Sequence, residues 1–104
     1  MQTQDWLHTN GQTYQLTDHV QLRMAQRNIS TQDLEFVLEN GRRKWTYRGQ
    51  AFALGRRNIP EKLRADDEIR RLVGTIVIVT ENNDAIITVY RNRDFGKLRR
   101  KISS

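Results

Sequence analysis

The sequence predicts an α+β domain with two N-terminal helices packed on one face of a roughly four-stranded antiparallel sheet. Three observations carry this. Two helix start-and-stop patterns lie between Thr17 and Gly41. Two apolar, β-branched runs, Leu72 to Thr80 and Ala85 to Arg91, lie near the end with turn formers between them. Helices followed by strands, rather than alternating with them, favour an antiparallel sheet covered on one side. The 104 residues suit a single domain, and Leu, Ile, Val and Phe supply 26 of them, above the roughly 20% below which chains stay disordered. The core is expected within about residues 17–93, with a basic C-terminal tail over 94–104 that could form a frayed helix.

The first helix starts where Thr17 can cap and Asp18 suits the positive helix end, and it stops at Asn28. Ser30 caps the second, with Asp33 three residues on as a shortened capping box, and Gly41 fits a left-handed position after its last turn. His8 lies in a polar N-terminal stretch beside Thr9, Asn10 and Gly11 and reads as neutral in function. Lys44 to Arg48 and Gln50 to Leu54 form a hairpin around Gly49. Residues 58–68 hold the only proline and most of an acid cluster, so they read as a solvated loop with one helical turn. The last two strands make an antiparallel hairpin across Glu81-Asn82-Asn83-Asp84.

Composition excludes several classes of chemistry. Without cysteine there is no disulfide, thiolate metal site or cysteine nucleophile, and two histidines cannot make a multi-histidine site. No apolar run reaches the roughly 20 residues that a membrane span needs, and the start lacks a signal-peptide layout, so a cytoplasmic protein without membrane contact is expected. Eighteen basic against twelve acidic side chains give a net charge of +6, and fourteen of the eighteen are arginine. Arginine grips phosphate through paired hydrogen bonds, which points to nucleic acid. Residues 41–60 carry Arg42, Arg43, Lys44, Arg48, Arg56 and Arg57 without an acid.

On the first helix, Leu16, Val20 and Met24 share one arc, and His19 and Arg23 share the next, at the border of buried and wet surface. Arg27 falls within the apolar arc, so its guanidinium must snorkel or meet an anion. Along the last strand, alternation turns Ile87 and Val89 into the core and exposes Thr88 and Tyr90 on the open sheet face. Such groups suit RNA cleavage, because RNA carries its own nucleophile. The 2′-hydroxyl needs only a proton acceptor, a donor and cations around the phosphate. DNA hydrolysis would ordinarily want a metal, and the acids Glu61, Asp66, Asp67 and Glu68 read as a solvated run rather than a metal site.

The pattern H-V-Q-L-R-M-A-Q-R-N-I-S-T-Q-D-L-E-F-V-L-E-N-G, followed by A-L-G-R-R-N-I-P, L-V-G-T-I-V-I-V and I-I-T-V-Y-R-N, resembles the domain-of-unknown-function family DUF4258 over about residues 17–93. That family is similar to the fold group of barnase and RelE-type toxins, with helices on a four-stranded antiparallel sheet. The resemblance implies a metal-independent, toxin-like ribonuclease needing no cofactor or metal, with His19, Arg23 and Thr88 as the catalytic set and Arg27 and Tyr90 beside it. Arg57 and Arg91 are expected as further substrate contacts. A toxin of this kind would have an antitoxin partner with an acidic segment. Residues 59–69 are a polar insertion relative to the shortest members, with acids able to shield or regulate a cleft.

Two other classes compete. The chain could bind RNA without cutting it, stacking bases on Trp45, Tyr47, Phe52 and Tyr90. Alternatively, residues 18–40 could be a DNA-binding helix-turn-helix, although the second helix bears Asp33, Glu35 and Glu39 and no basic residue.

Overall fold

The computed structural model describes residues 5–47 and 49–91. The expected tail and Arg48 lie outside the described residues. The chain runs through β1 (Trp6–Thr9), β2 (Gln12–Leu16), α1 (Asp18–Arg27), α2 (Thr31–Asn40), β3 (Arg42–Thr46) and β4 (Gly49–Ala53). Two 3-10 turns, α3 (Asp67–Arg70), β5 (Thr75–Val79) and β6 (Ala85–Arg91) follow. The α+β class holds, but the four-stranded antiparallel sheet does not. The sheet has six strands in the order β1-β2-β6-β5-β4-β3 and is mixed, because β2 lies parallel to β6. Nor do helices begin the fold, since a β-hairpin precedes them.

That hairpin turns on Asn10 and Gly11, both with positive φ (55° and 70°), the backbone that a tight two-residue turn requires. It exposes Trp6 and His8 while burying Leu7, Thr9, Tyr14 and Leu16. The β2–β6 pairing is short, Gln15 with Ala85 and Leu16 with Ile86. Side chains reinforce it: Gln12 Nε2 donates to the Asn83 carbonyl at 2.5 Å, and the Tyr14 hydroxyl donates to Asn83 Oδ1 at 3.3 Å.

Both long helices carry the expected N-caps. The Thr17 hydroxyl accepts from Val20 N, and Ser30 with Asp33 forms a complete capping box. Helix α1 stops at Asn28 as expected, whereas the end of α2 differs from expectation. Asn28 takes the left-handed conformation (φ 55°), whereas Gly41 is extended (φ −67°) because the chain passes straight from α2 into β3. Helix α2 packs against β1, β4 and β5, and α1 against β6. Together they enclose the main core, where Val20, Leu34 and Val37 meet Leu7, Val77 and Val89. Each such side chain contributes roughly 1.5–3 kcal/mol on full burial.

Residues 58–68, expected as a solvated loop with one helical turn, include the 3-10 turn Glu61–Leu63 and the start of α3, and Ile59 among them is buried. Arg71, just past α3, ties this segment down. Its guanidinium donates to Asp33 Oδ2 at 2.7 Å, to Glu68 Oε2 at 3.0 Å and to the Asn28 carbonyl at 3.4 Å. Burial pushes the Asp33 carboxyl pKa up, but the Ser30 N–H and the Arg71 guanidinium outweigh it and hold it below the ordinary carboxylate range.

The last strand departs from simple alternation. Ile78 pairs with Thr88 and Val79 with Ile86, so Ile87 is the extra residue of a β-bulge. Ile86 and Val89 enter the main core, whereas Ile87 joins a second apolar cluster on the opposite face, with Ala51, Ile76, Ile78, Ala53 and Tyr90. The expectation that Ile87 is buried beside Val89 is thereby overturned. Thr88 and Tyr90 do lie on the opposite face, across from Ile78 and Ile76, but half-buried rather than exposed.

Candidate phosphate cleft between the first helix and the last strand

Because β2 reaches only Ile86, β6 runs on from Ile87 to Arg91 with a strand, β5, on one side only, and α1 packs against it. Thr17 makes the junction. Its hydroxyl caps α1 and also donates to the carbonyls of Ile86 and Ile87, at 3.0 and 3.2 Å. The start of α1 is thus fastened to the bulge itself. A helix leaving this point with Val20 and Met24 in the core carries positions 19, 23 and 27, each one turn apart, along the β6 side.

The result is an open cleft of about 740 Å³ lined by His19, Arg23, Arg27, Ile87, Thr88, Tyr90 and Arg91. Six of the seven site residues expected from sequence meet here. The seventh, Arg57, lies elsewhere, in a pocket of about 370 Å³ with Arg42, Lys44 and Arg56. Ile87, expected in the core, joins the site because the bulge turns it to this face. The acids of residues 59–69 do not line this cleft. Glu61 borders a different cavity with Arg56, Arg64 and Arg70, and Glu68 is held by Arg71. A shielding role for them at the His19 cleft is therefore not supported.

The cleft is cationic. Among the described residues, Arg23, Arg27 and Arg91 have no carboxylate partner; Arg23 Nη1 donates only to Gln26 Oε1, at 3.3 Å. Arg27 is half-buried rather than embedded in the core, and its Nε, buried, meets no hydrogen-bond acceptor among the described residues. An unpaired guanidinium N–H withdrawn from water is costly, and an incoming phosphate oxygen would relieve it. His19 is exposed, so its imidazole is accessible from solvent. The arrangement gathers a proton acceptor, three anion-binding forks and two hydroxyls around one space.

A family model described as a domain of unknown function, DUF4258, matches residues 16–91. The chain belongs to the DUF4258 family. The match spans α1 through β6 and so includes every residue of the cleft. Neither the curated proteins nor the solved structures contain a match to this chain. The expected similarity to barnase and RelE-type toxins finds no support in these comparisons, and the six-stranded mixed sheet departs from the four-stranded antiparallel sheet it implies.

Proposed function

We propose that this DUF4258 domain is a metal-independent endoribonuclease, acting in the cytoplasm on RNA by transesterification. Supporting the reading above all is the convergence of His19, Arg23, Arg27, Thr88, Tyr90 and Arg91 on one cleft whose arginines lack carboxylate partners among the described residues. The His19 imidazole takes the 2′-hydroxyl proton as the bond from O2′ to phosphorus forms and the bond from phosphorus to O5′ breaks. The leaving 5′-oxygen takes a proton from water in the open cleft. Arg23 and Arg27 grip the phosphoryl oxygens more tightly as negative charge grows. The hydroxyls of Thr88 and Tyr90 donate to the same oxygens, and Arg91 holds a neighbouring phosphate. The products are a 2′,3′-cyclic phosphate and a 5′-hydroxyl. A protein partner that restrains the enzyme, as an antitoxin does, would offer an acidic segment to the same arginines.

A second reading, RNA binding without cleavage, draws on Trp45 and Tyr47, which are 68% and 89% exposed near the β3–β4 turn and available for stacking. Phe52 cannot serve in it, being buried in the main core. The helix-turn-helix alternative is weakened because α2 packs against three strands and its Asp33 is taken by Arg71. His19→Ala separates the first two readings. On the nuclease reading, RNA affinity stays and cleavage falls by roughly 10² or more; on the binding reading, wild type and variant alike leave the RNA intact.

A further inference from the structure

The pocket of about 370 Å³ around Arg42, Lys44, Arg56 and Arg57 has no acid among its described lining residues. Arg42, Arg56 and Arg57 have no carboxylate partner among the described residues. The sheet register explains why strand residues contribute. Arg42 stands opposite Ala53 and Lys44 opposite Ala51, so both rise on the face of the second apolar cluster. Gly55 closes the pocket from the side, its N–H held at 2.8 Å by Asn58 Oδ1, which presents Arg56 and Arg57 on a 3-10 turn.

This pocket adjoins the α1–β6 cleft. Ile76 lines the one, Tyr90 lines the other, and the two residues are direct cross-strand partners. A cationic zone therefore begins at α1, crosses β6, β5 and β4 over an apolar floor, and ends at β3. From β6 to β3 is three strand spacings, about 14 Å, or about four stacked nucleotide steps of about 3.4 Å each. Arginines at both ends with Ile76, Ala53 and Tyr90 between them match a strand of alternating phosphates and bases.

We propose that the Arg42–Lys44–Arg56–Arg57 pocket is a remote phosphate subsite for single-stranded RNA, so that the preferred substrate is a strand of several nucleotides laid across the sheet. The inference rests on the cleft as the site of cleavage. Its test is therefore built on binding, with a 2′-O-methyl oligonucleotide of ten nucleotides that cannot be cut, while cleavage of the matching RNA is followed separately. Arg42→Gln with Arg57→Gln removes two exposed charges from the pocket; Arg64→Gln with Arg70→Gln removes two outside it. For single strands each lost phosphate contact lowers the slope of log K against log salt by about 0.7, hence about 1.4 for two. Between 50 and 200 mM salt the wild-type affinity should then fall about sevenfold more than that of the pocket variant.

The slope of the Arg64/Arg70 variant should stay with wild type, and that variant should cleave a dinucleotide at the wild-type rate. An unchanged slope in the pocket variant, with RNA still cleaved, overturns the subsite alone. An equal slope change in both pairs also overturns it, since net charge would then suffice as the explanation. Uncut RNA with the altered slope rejects the nuclease reading but keeps this pocket as a phosphate site. A wild type that does not bind the oligonucleotide overturns both.

Discussion

Replacing Thr17 by valine keeps the shape of the side chain and removes one hydroxyl that serves two elements. That hydroxyl accepts from Val20 N at 3.2 Å and donates to the carbonyls of Ile86 and Ile87. The lost N-cap costs about 1 kcal/mol. The lost bond to the bulge carbonyls costs about another 1 kcal/mol, the usual net worth of a neutral hydrogen bond. A total of about 2 kcal/mol lowers Tm by about 9 °C in a domain of this size. Because the same hydroxyl fastens α1 to the strand bearing Thr88 and Tyr90, His19 should also lose its alignment. RNA cleavage measured well below Tm should fall by about tenfold to a hundredfold, as displacements of about 1 Å do. Thr17→Ser keeps the hydroxyl and should restore both quantities. The assay is a thermal melt by circular dichroism beside a cleavage time course for all three proteins. A valine variant that melts within 2 °C of wild type and cleaves at the wild-type rate would refute the claim that Thr17 couples helix and bulge.

Three further outcomes follow from particular contacts. Asp33→Asn should lose about 1–3 kcal/mol at neutral pH, because the Ser30 N–H and Arg71 both bond its charged form. A depressed folded pKa stabilises above the ordinary carboxylate value and is lost as pH falls through it, so the gap between variant and wild type in urea unfolding should close below about pH 4. Gly49→Ala should destabilise by about 3 kcal/mol or more, since Gly49 has φ +137° and an added Cβ would collide with the Val79 carbonyl; chemical denaturation reads this out. Arg27→Met should leave stability unchanged or raise it by up to about 1 kcal/mol, by removing a partly buried unpaired cation, while RNA affinity by fluorescence anisotropy falls severalfold.

The helices could be read because their signals are local: Thr17 and Ser30 cap the helices they precede, and Asp33 completes the second cap from within α2, whatever the remainder of the chain does. The i, i+4 spacing of His19 and Arg23 likewise puts two cleft residues on one side of α1, whereas Arg27, which the helical wheel places in the apolar arc, joins them half-buried at the cleft. The N-terminal hairpin left a signal too, Asn10-Gly11 between alternating side chains, but with only Leu7, Tyr14 and Leu16 as buried large apolar residues it passes for a polar stretch. Its parallel pairing with β6 has no local mark, because Gln15 and Ala85 meet only through the tertiary fold. The bulge at Ile87 is similarly silent. In A-I-I-T-V-Y-R either isoleucine can face the main core, and the register with Ile78 and Val79 decides. Leu72 to Gly74, read as strand, instead form a turn after α3, with Gly74 at φ +92° starting the strand one residue later. Charge marks Arg57 as a substrate contact but does not specify position, and the fold puts it in the other pocket.

The nature of the cleavage products tests the central claim most directly. Purified protein is incubated with mixed-sequence RNA in excess chelator, and the new ends are identified by mass. The account predicts 2′,3′-cyclic phosphate and 5′-hydroxyl ends, formed by wild type and reduced by roughly 10² or more in His19→Ala. RNA that is cut only when magnesium is added, or cut equally by the His19 variant, would contradict it.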